Sequence, residues 1–127
     1  MKLSALVAAT LVALSSLASA DVSVVENHET VAIDCAKDKI VSLVGNHITA
    51  TLTGTCTKVS VAGNFNTVTG SANSVWLAGN HNTAVLDHVD ELMVPGNYNT
   101  ATYKGPVSAK ATKVSNPGTK NTITQQK

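Results

Sequence analysis

Gly63-Asn64-Phe65-Asn66-Thr67 decides the reading of this chain, because the sequence writes the same phrase three more times. Gly45-Asn46-His47-Ile48-Thr49 precedes it, and Gly79-Asn80-His81-Asn82-Thr83 and Gly96-Asn97-Tyr98-Asn99-Thr100 follow. The glycines stand 18, 16 and 17 residues apart. A period this regular, and too short for a pair of helices, belongs to the coils of a solenoid.

Within each unit the glycine opens a corner where a positive φ is cheap. The asparagine after it is expected to share that left-handed geometry. Alternating residues follow: Thr49-Ala50-Thr51-Leu52, Thr67-Val68-Thr69-Gly70, Thr83-Ala84-Val85-Leu86 and Thr100-Ala101-Thr102-Tyr103. Period two means a strand with one parity inward, so Ala50, Val68, Ala84 and Ala101 face a core together with Leu52, Leu86 and Tyr103. A second alternation before each next glycine supplies the facing wall, in the pairs Val41/Leu43, Val59/Val61, Val75/Leu77 and Leu92/Val94. The expected fold is an all-β, single-domain β-solenoid of about five to six coils, ~16–19 residues and two short strands each, with a core one side-chain layer thick.

The ends are weaker copies. Asn27-His28-Glu29-Thr30 opens an N-terminal coil without its glycine, and Gly118-Thr119-Lys120-Asn121-Thr122-Ile123 closes a C-terminal one. Regular coils are expected over about 26–104, with an irregular cap over 105–127 containing Pro106, Pro117 and lysines that hinder pairing onto the last edge.

Upstream, Met1-Lys2, an apolar run from Leu3 to Leu14 and Ala18-Ser19-Ala20 have the pattern of a signal peptide over 1–20. Cleavage there leaves Asp21 to Lys127 as a periplasmic or extracellular domain with no membrane span. The whole chain has nine basic and eight acidic residues, so losing Lys2 balances them. No net charge then draws the chain to nucleic acid. Two cysteines, Cys35 and Cys56, lie between first and second strands of consecutive coils, as one disulfide of an exported protein would require. A free reactive thiol pair is the alternative.

The order of Cys35, Leu52-Thr53-Gly54-Thr55-Cys56-Thr57-Lys58-Val59-Ser60-Val61-Ala62-Gly63-Asn64-Phe65-Asn66-Thr67-Val68 and Val75-Trp76-Leu77-Ala78-Gly79-Asn80-His81-Asn82-Thr83 resembles an uncharacterised bacterial exported family, domain of unknown function 3060. The resemblance runs roughly from Val31 to Lys104. It implies a small repeat-built β-structure, no established activity and no functional residues to carry over. The chain departs from the repeat at Ile48, where asparagine is expected, and at Val85-Leu86.

Four groups of side chains are candidates for function. Asn46, Asn64, Asn80 and Asn97 form one asparagine column and Asn66, Asn82 and Asn99 another. Stacked amides there can bond to one another and to corner backbone groups, which is a structural role. His28, His47, Phe65, His81 and Tyr98 form an outward ring column that can contact a sugar or a partner. Two neighbouring histidines without a third ligand do not make a metal site. Thr30, Thr49, Thr67, Thr83 and Thr100, flanked by Thr51, Thr69 and Thr102, form an outward Thr-x-Thr face like those with which ice-binding proteins order water. The same face is also an ordinary use of a polar β-branched residue on a strand. Asp87-His88-Val89-Asp90-Glu91 is the one dense ionisable cluster, read as a solvated turn.

The chain has no arginine to grip an anionic substrate and no recognisable nucleophile motif, so no catalysis and no cofactor are expected. The expected function is a non-catalytic binding or structural module of the cell envelope, monomeric or weakly self-associating, with a polysaccharide or protein as possible partner. Ice binding and a curli-like fibre or matrix subunit are the alternatives.

Overall fold

A computed structural model of the chain describes residues 21–36 and 40–126. The expected signal peptide, 1–20, lies outside the described residues. The structure is an all-β solenoid of about six turns with roughly 18 residues per turn. In chain order the strands are β1 (Asp21–Val25), β2 (Thr30–Asp34), β3 (Ile40–Asn46), β4 (Thr49–Asn64), β5 (Thr67–Asn80), β6 (Thr83–Met93), β7 (Thr100–Tyr103), β8 (Lys113–Ser115) and β9 (Thr122–Gln125). Every pairing is parallel. Among the described residues, no helix is long and apolar enough to cross a membrane.

Each coil has two walls, a corner and an arc. The wall after the corner stacks β2 on the start of β4, then on the starts of β5 and β6, then on β7 and β9. The wall before the next corner stacks β1 on β3 and on the later halves of β4 and β5, then on the end of β6 and on β8. The two expected strands of a coil are joined in β4 and β5 into one bent strand of 16 and 14 residues.

Coil length varies at one place only, the arc between the walls. Register shifts fall between Thr51 and Thr55 and between Gly70 and Ala72, whereas the corners Gly45, Gly63 and Gly79 pair without a slip. Unequal coils therefore leave both walls and the corner in strict register. Period-two parity is as expected: Val41, Leu43, Val59, Val61, Val75, Leu77 and Leu92 from one wall meet Ala50, Leu52, Val68, Ala84, Leu86 and Ala101 from the other, all buried. Cys35 and Cys56 lie on neighbouring arcs and form the disulfide, with Cα atoms 4.8 Å apart. In the chain-entropy model a bridge of this span stabilises by roughly 3 kcal/mol.

The corner differs from expectation in one respect. Positive φ falls on the corner glycines Gly45, Gly63 (128°) and Gly79, and on the residue after each asparagine: His47, Phe65, His81 and Tyr98 lie between 58° and 59°. The asparagines themselves are not left-handed. Left-handed geometry costs a side chain with a Cβ roughly 1–2 kcal/mol, so these bulky residues need compensation from their neighbours along the axis.

Candidate functional site

That compensation comes from stacking. The rings of His28, His47, Phe65, His81 and Tyr98 lie one above the next at 4.8, 5.1, 4.9 and 5.0 Å, with interplanar angles of 3–9°. The spacing is that of neighbouring strands, about 4.8 Å, and each aromatic pair contributes on the order of 0.5–1.5 kcal/mol. Because each ring covers the next, the ring faces within the column are already occupied. The column offers a ligand its edges, beside a shallow groove of about 450 Å³ lined by Asn27, His28, Asn46, His47, Asn64 and Phe65.

The two asparagine columns stitch the corners together. In the outer one the side-chain oxygen of Asn46 accepts the backbone N–H of Asn64 at 3.0 Å, and that of Asn64 accepts the N–H of Asn80 at 3.2 Å. Asn27 extends this column upward by accepting from Asn46, and Asn97 closes it by accepting from Thr119. In the inner column Asn66, Asn82 and Asn99 are each only 1% exposed. Each reaches back one coil: Asn82, for example, accepts the N–H of Asn66 at 2.9 Å and donates to the Gly63 carbonyl at 3.1 Å. Asn66 and Asn99 repeat this, and Asn121 adds a fourth member with bonds to Asn99 and Gly96. Asn27 and Asn121 sit in the weaker terminal copies. Their place in the repeat was the available sign that they belong to the columns.

The threonine face is the outer side of the first wall. Thr30, Thr49, Thr67, Thr83, Thr100 and Thr122 are successive partners in one unbroken register. The neighbouring column reads Ala32, Thr51, Thr69, Val85, Thr102 and Thr124 in the same pairings. The two columns form a grid of about 4.8 Å along the axis by about 6.7 Å along each strand. All of these side chains are exposed or half-exposed. Among the described residues, the threonine hydroxyls that bond to the protein are those of Thr53, Thr112 and Thr119, none of them in the grid. The outer side of the opposite wall has no such uniformity: one of its columns reads Ser42, Ser60, Trp76, Met93 and Ser115, with Lys58 lying 5.1 Å over the Trp76 ring.

A family model described as protein of unknown function (DUF3060) matches residues 43–83 and again 63–119, together more than half of the chain. The chain belongs to the DUF3060 family. The DUF3060 match begins later than the resemblance in the sequence, so it includes Cys56 but not Cys35, and it continues through the irregular connection to Thr119. No curated protein and no solved structure matches this DUF3060 chain significantly. Among the described residues there is no group of three or more potential metal ligands.

The ionisable cluster has a structural task in this DUF3060 protein. One Asp90 oxygen accepts the backbone N–H groups of Val107, Ser108 and Ala109 at 2.7–3.0 Å, and the other accepts from Asn73 and the Ser108 hydroxyl. These donors, the Ala109 N–H first, hold its carboxyl well below the usual carboxylate range. Asp90 thus clasps the irregular connection onto the arc, aided by Asp87, whose carboxylate lies 3.6 Å from the Lys104 ammonium.

Proposed function

We propose that this chain is an exported, non-catalytic binding module of the cell envelope or cell exterior, and that its binding surface is the threonine face. The observation behind this reading is the unbroken register of Thr30, Thr49, Thr67, Thr83, Thr100 and Thr122. A β-branched side chain has few χ1 choices, so identical backbone environments repeat the same hydroxyl and methyl positions from coil to coil. Such a surface suits a ligand that is itself periodic and contributes both hydrogen bonds and apolar contact. Ice fits this description, because its lattice planes repeat water molecules at distances of the same order as the grid. Export is supported by the leader-like first twenty residues and by the disulfide, a bond of oxidising compartments. The absence of catalysis is supported by Asp90, whose lone pairs are occupied by loop contacts.

The test compares adsorption of the exported protein to ice with adsorption to insoluble polysaccharide, together with inhibition of ice recrystallisation. Wild-type protein is expected to inhibit recrystallisation, Thr69→Tyr in the centre of the grid to lose most of that effect, and Ser60→Tyr on the opposite wall to keep it. Adsorption to polysaccharide alone, abolished by Thr69→Tyr, would keep the surface and replace the ligand. No effect of Thr69→Tyr on any binding would refute the surface itself.

A further inference from the structure

The wall strands at the two ends of the solenoid match each other in register. Carried forward by one coil, the register that pairs β3 with β1 and β8 with β6 sets Lys113, Val114 and Ser115 of one copy against Asp21, Val22 and Ser23 of the next. In the other wall it sets Thr122, Ile123 and Thr124 against Thr30, Val31 and Ala32. Opposite charges meet at Lys113 and Asp21, apolar residues meet at the core, and the threonine column continues. Among the described residues, the strands at each end, β1 and β2 at one and β8 and β9 at the other, pair on one side only, the usual invitation to another chain. A head-to-tail contact of this kind does not close on itself, so it would lead to filaments.

At the corner the fit is blocked. At each stacked corner a Cβ on the glycine would collide with the corner carbonyl one coil earlier: Gly63 with Gly45, Gly79 with Gly63, Gly96 with Gly79 and Gly118 with Gly96. Gly45 stands in the same relation to the carbonyl of Glu26, which places Glu26 at the corner of the first coil. Glu26 has a Cβ. Within the chain this is harmless, since no earlier corner lies above it among the described residues. Against a second copy, the Glu26 Cβ would meet the Gly118 carbonyl as the other corners' missing Cβ atoms would meet theirs.

We propose that Glu26 is a stop residue: it prevents the last coil of one copy from accepting the first coil of another, and so keeps the protein from assembling end to end. The block is the Cβ atom, and the carboxylate is incidental. A glycine there would complete the corner and open the N-terminal end to a second copy of this chain.

Sedimentation velocity over a hundredfold concentration range, on the exported protein and three variants, tests this. Wild type, Glu26→Ala and Glu26→Gln are expected to stay monomeric, whereas Glu26→Gly forms concentration-dependent linear oligomers at least tenfold below the concentration at which any of the others associates. Circular dichroism checks that each variant keeps its β signal. Glu26→Gln associating as readily as Glu26→Gly would show that charge is the barrier and overturn the proposal. So would a folded Glu26→Gly that remains monomeric, or wild type that assembles end to end.

Discussion

Asn66 donates its backbone N–H to the side-chain oxygen of Asn82 at 2.9 Å, although the two residues belong to different coils. The Asn82 side-chain nitrogen also donates to the Gly63 carbonyl, so one buried side chain bonds two backbone groups of the corner before it. Asn82→Ala leaves the Asn66 N–H without its partner and takes one donor from the Gly63 carbonyl, and a buried unsatisfied group costs about 1–3 kcal/mol. The variant is therefore expected to lose about 1–3 kcal/mol in urea unfolding. Ile48 occupies the equivalent inner position one coil above Asn66 and is fully buried. Ile48→Asn would find the N–H of Glu29 and the carbonyl of Glu26, so its apolar loss is offset and the net change stays within about 1 kcal/mol. An Ile48→Asn variant as damaged as Asn82→Ala would mean that the column logic fails at the first corner.

At Phe65 two terms oppose each other. Phe65→Gly relieves a left-handed strain of roughly 1–2 kcal/mol but removes two ring stacks of about 0.5–1.5 kcal/mol each. The expected stability change is below about 1 kcal/mol, from near-cancellation of those terms. Phe65→Val loses the stacks and keeps the strain, in a side chain even less suited to positive φ. Both variants lose the stacks, so chemical denaturation should place it about 1–2 kcal/mol below Phe65→Gly, the strain that only glycine relieves.

The Asp90 clasp should respond to acid. Its carboxyl is held below the unfolded value by the Ala109, Ser108 and Val107 N–H groups and Asn73. In acid the unfolded state therefore binds more protons at this site, and stability rises with pH there. The contribution is fully present above the ordinary carboxylate range, about pH 4, and is lost as pH falls through the lowered value. Amide exchange at Val107, Ser108 and Ala109 should accelerate below that range before exchange in the walls does. Asp90→Asn should show the faster exchange already at neutral pH, and unchanged protection of those three amides in it would contradict the assignment.

The sequence disclosed the parts that repeat. Corners, inward parity, the asparagine and threonine columns and the cysteine pair could be read because each position is defined by its copies. Left-handed geometry on His47, Phe65, His81 and Tyr98 was not legible, since local preference assigns it to Gly or Asn and what offsets it is a ring in the next coil. Asp90 reads as part of a solvated turn in the sequence because its partners lie in the connection over 105–112, which has no repeat to align. Glu26 has no visible role in the sequence, because what marks it is the carbonyl that faces each corner glycine.

All of these surfaces depend on one register running the length of the axis. Paired cysteines test it directly. Thr67 and Thr83 are Cα partners in neighbouring coils, about 4.8 Å apart by strand spacing and within disulfide reach, whereas Thr67 and Val85 lie on a diagonal of roughly 8 Å, beyond it. Under mild oxidation, Thr67→Cys/Thr83→Cys should cross-link to near completion by mass spectrometry and Thr67→Cys/Val85→Cys should not. Equal cross-linking of the two pairs, or preference for the diagonal, would contradict the in-register solenoid.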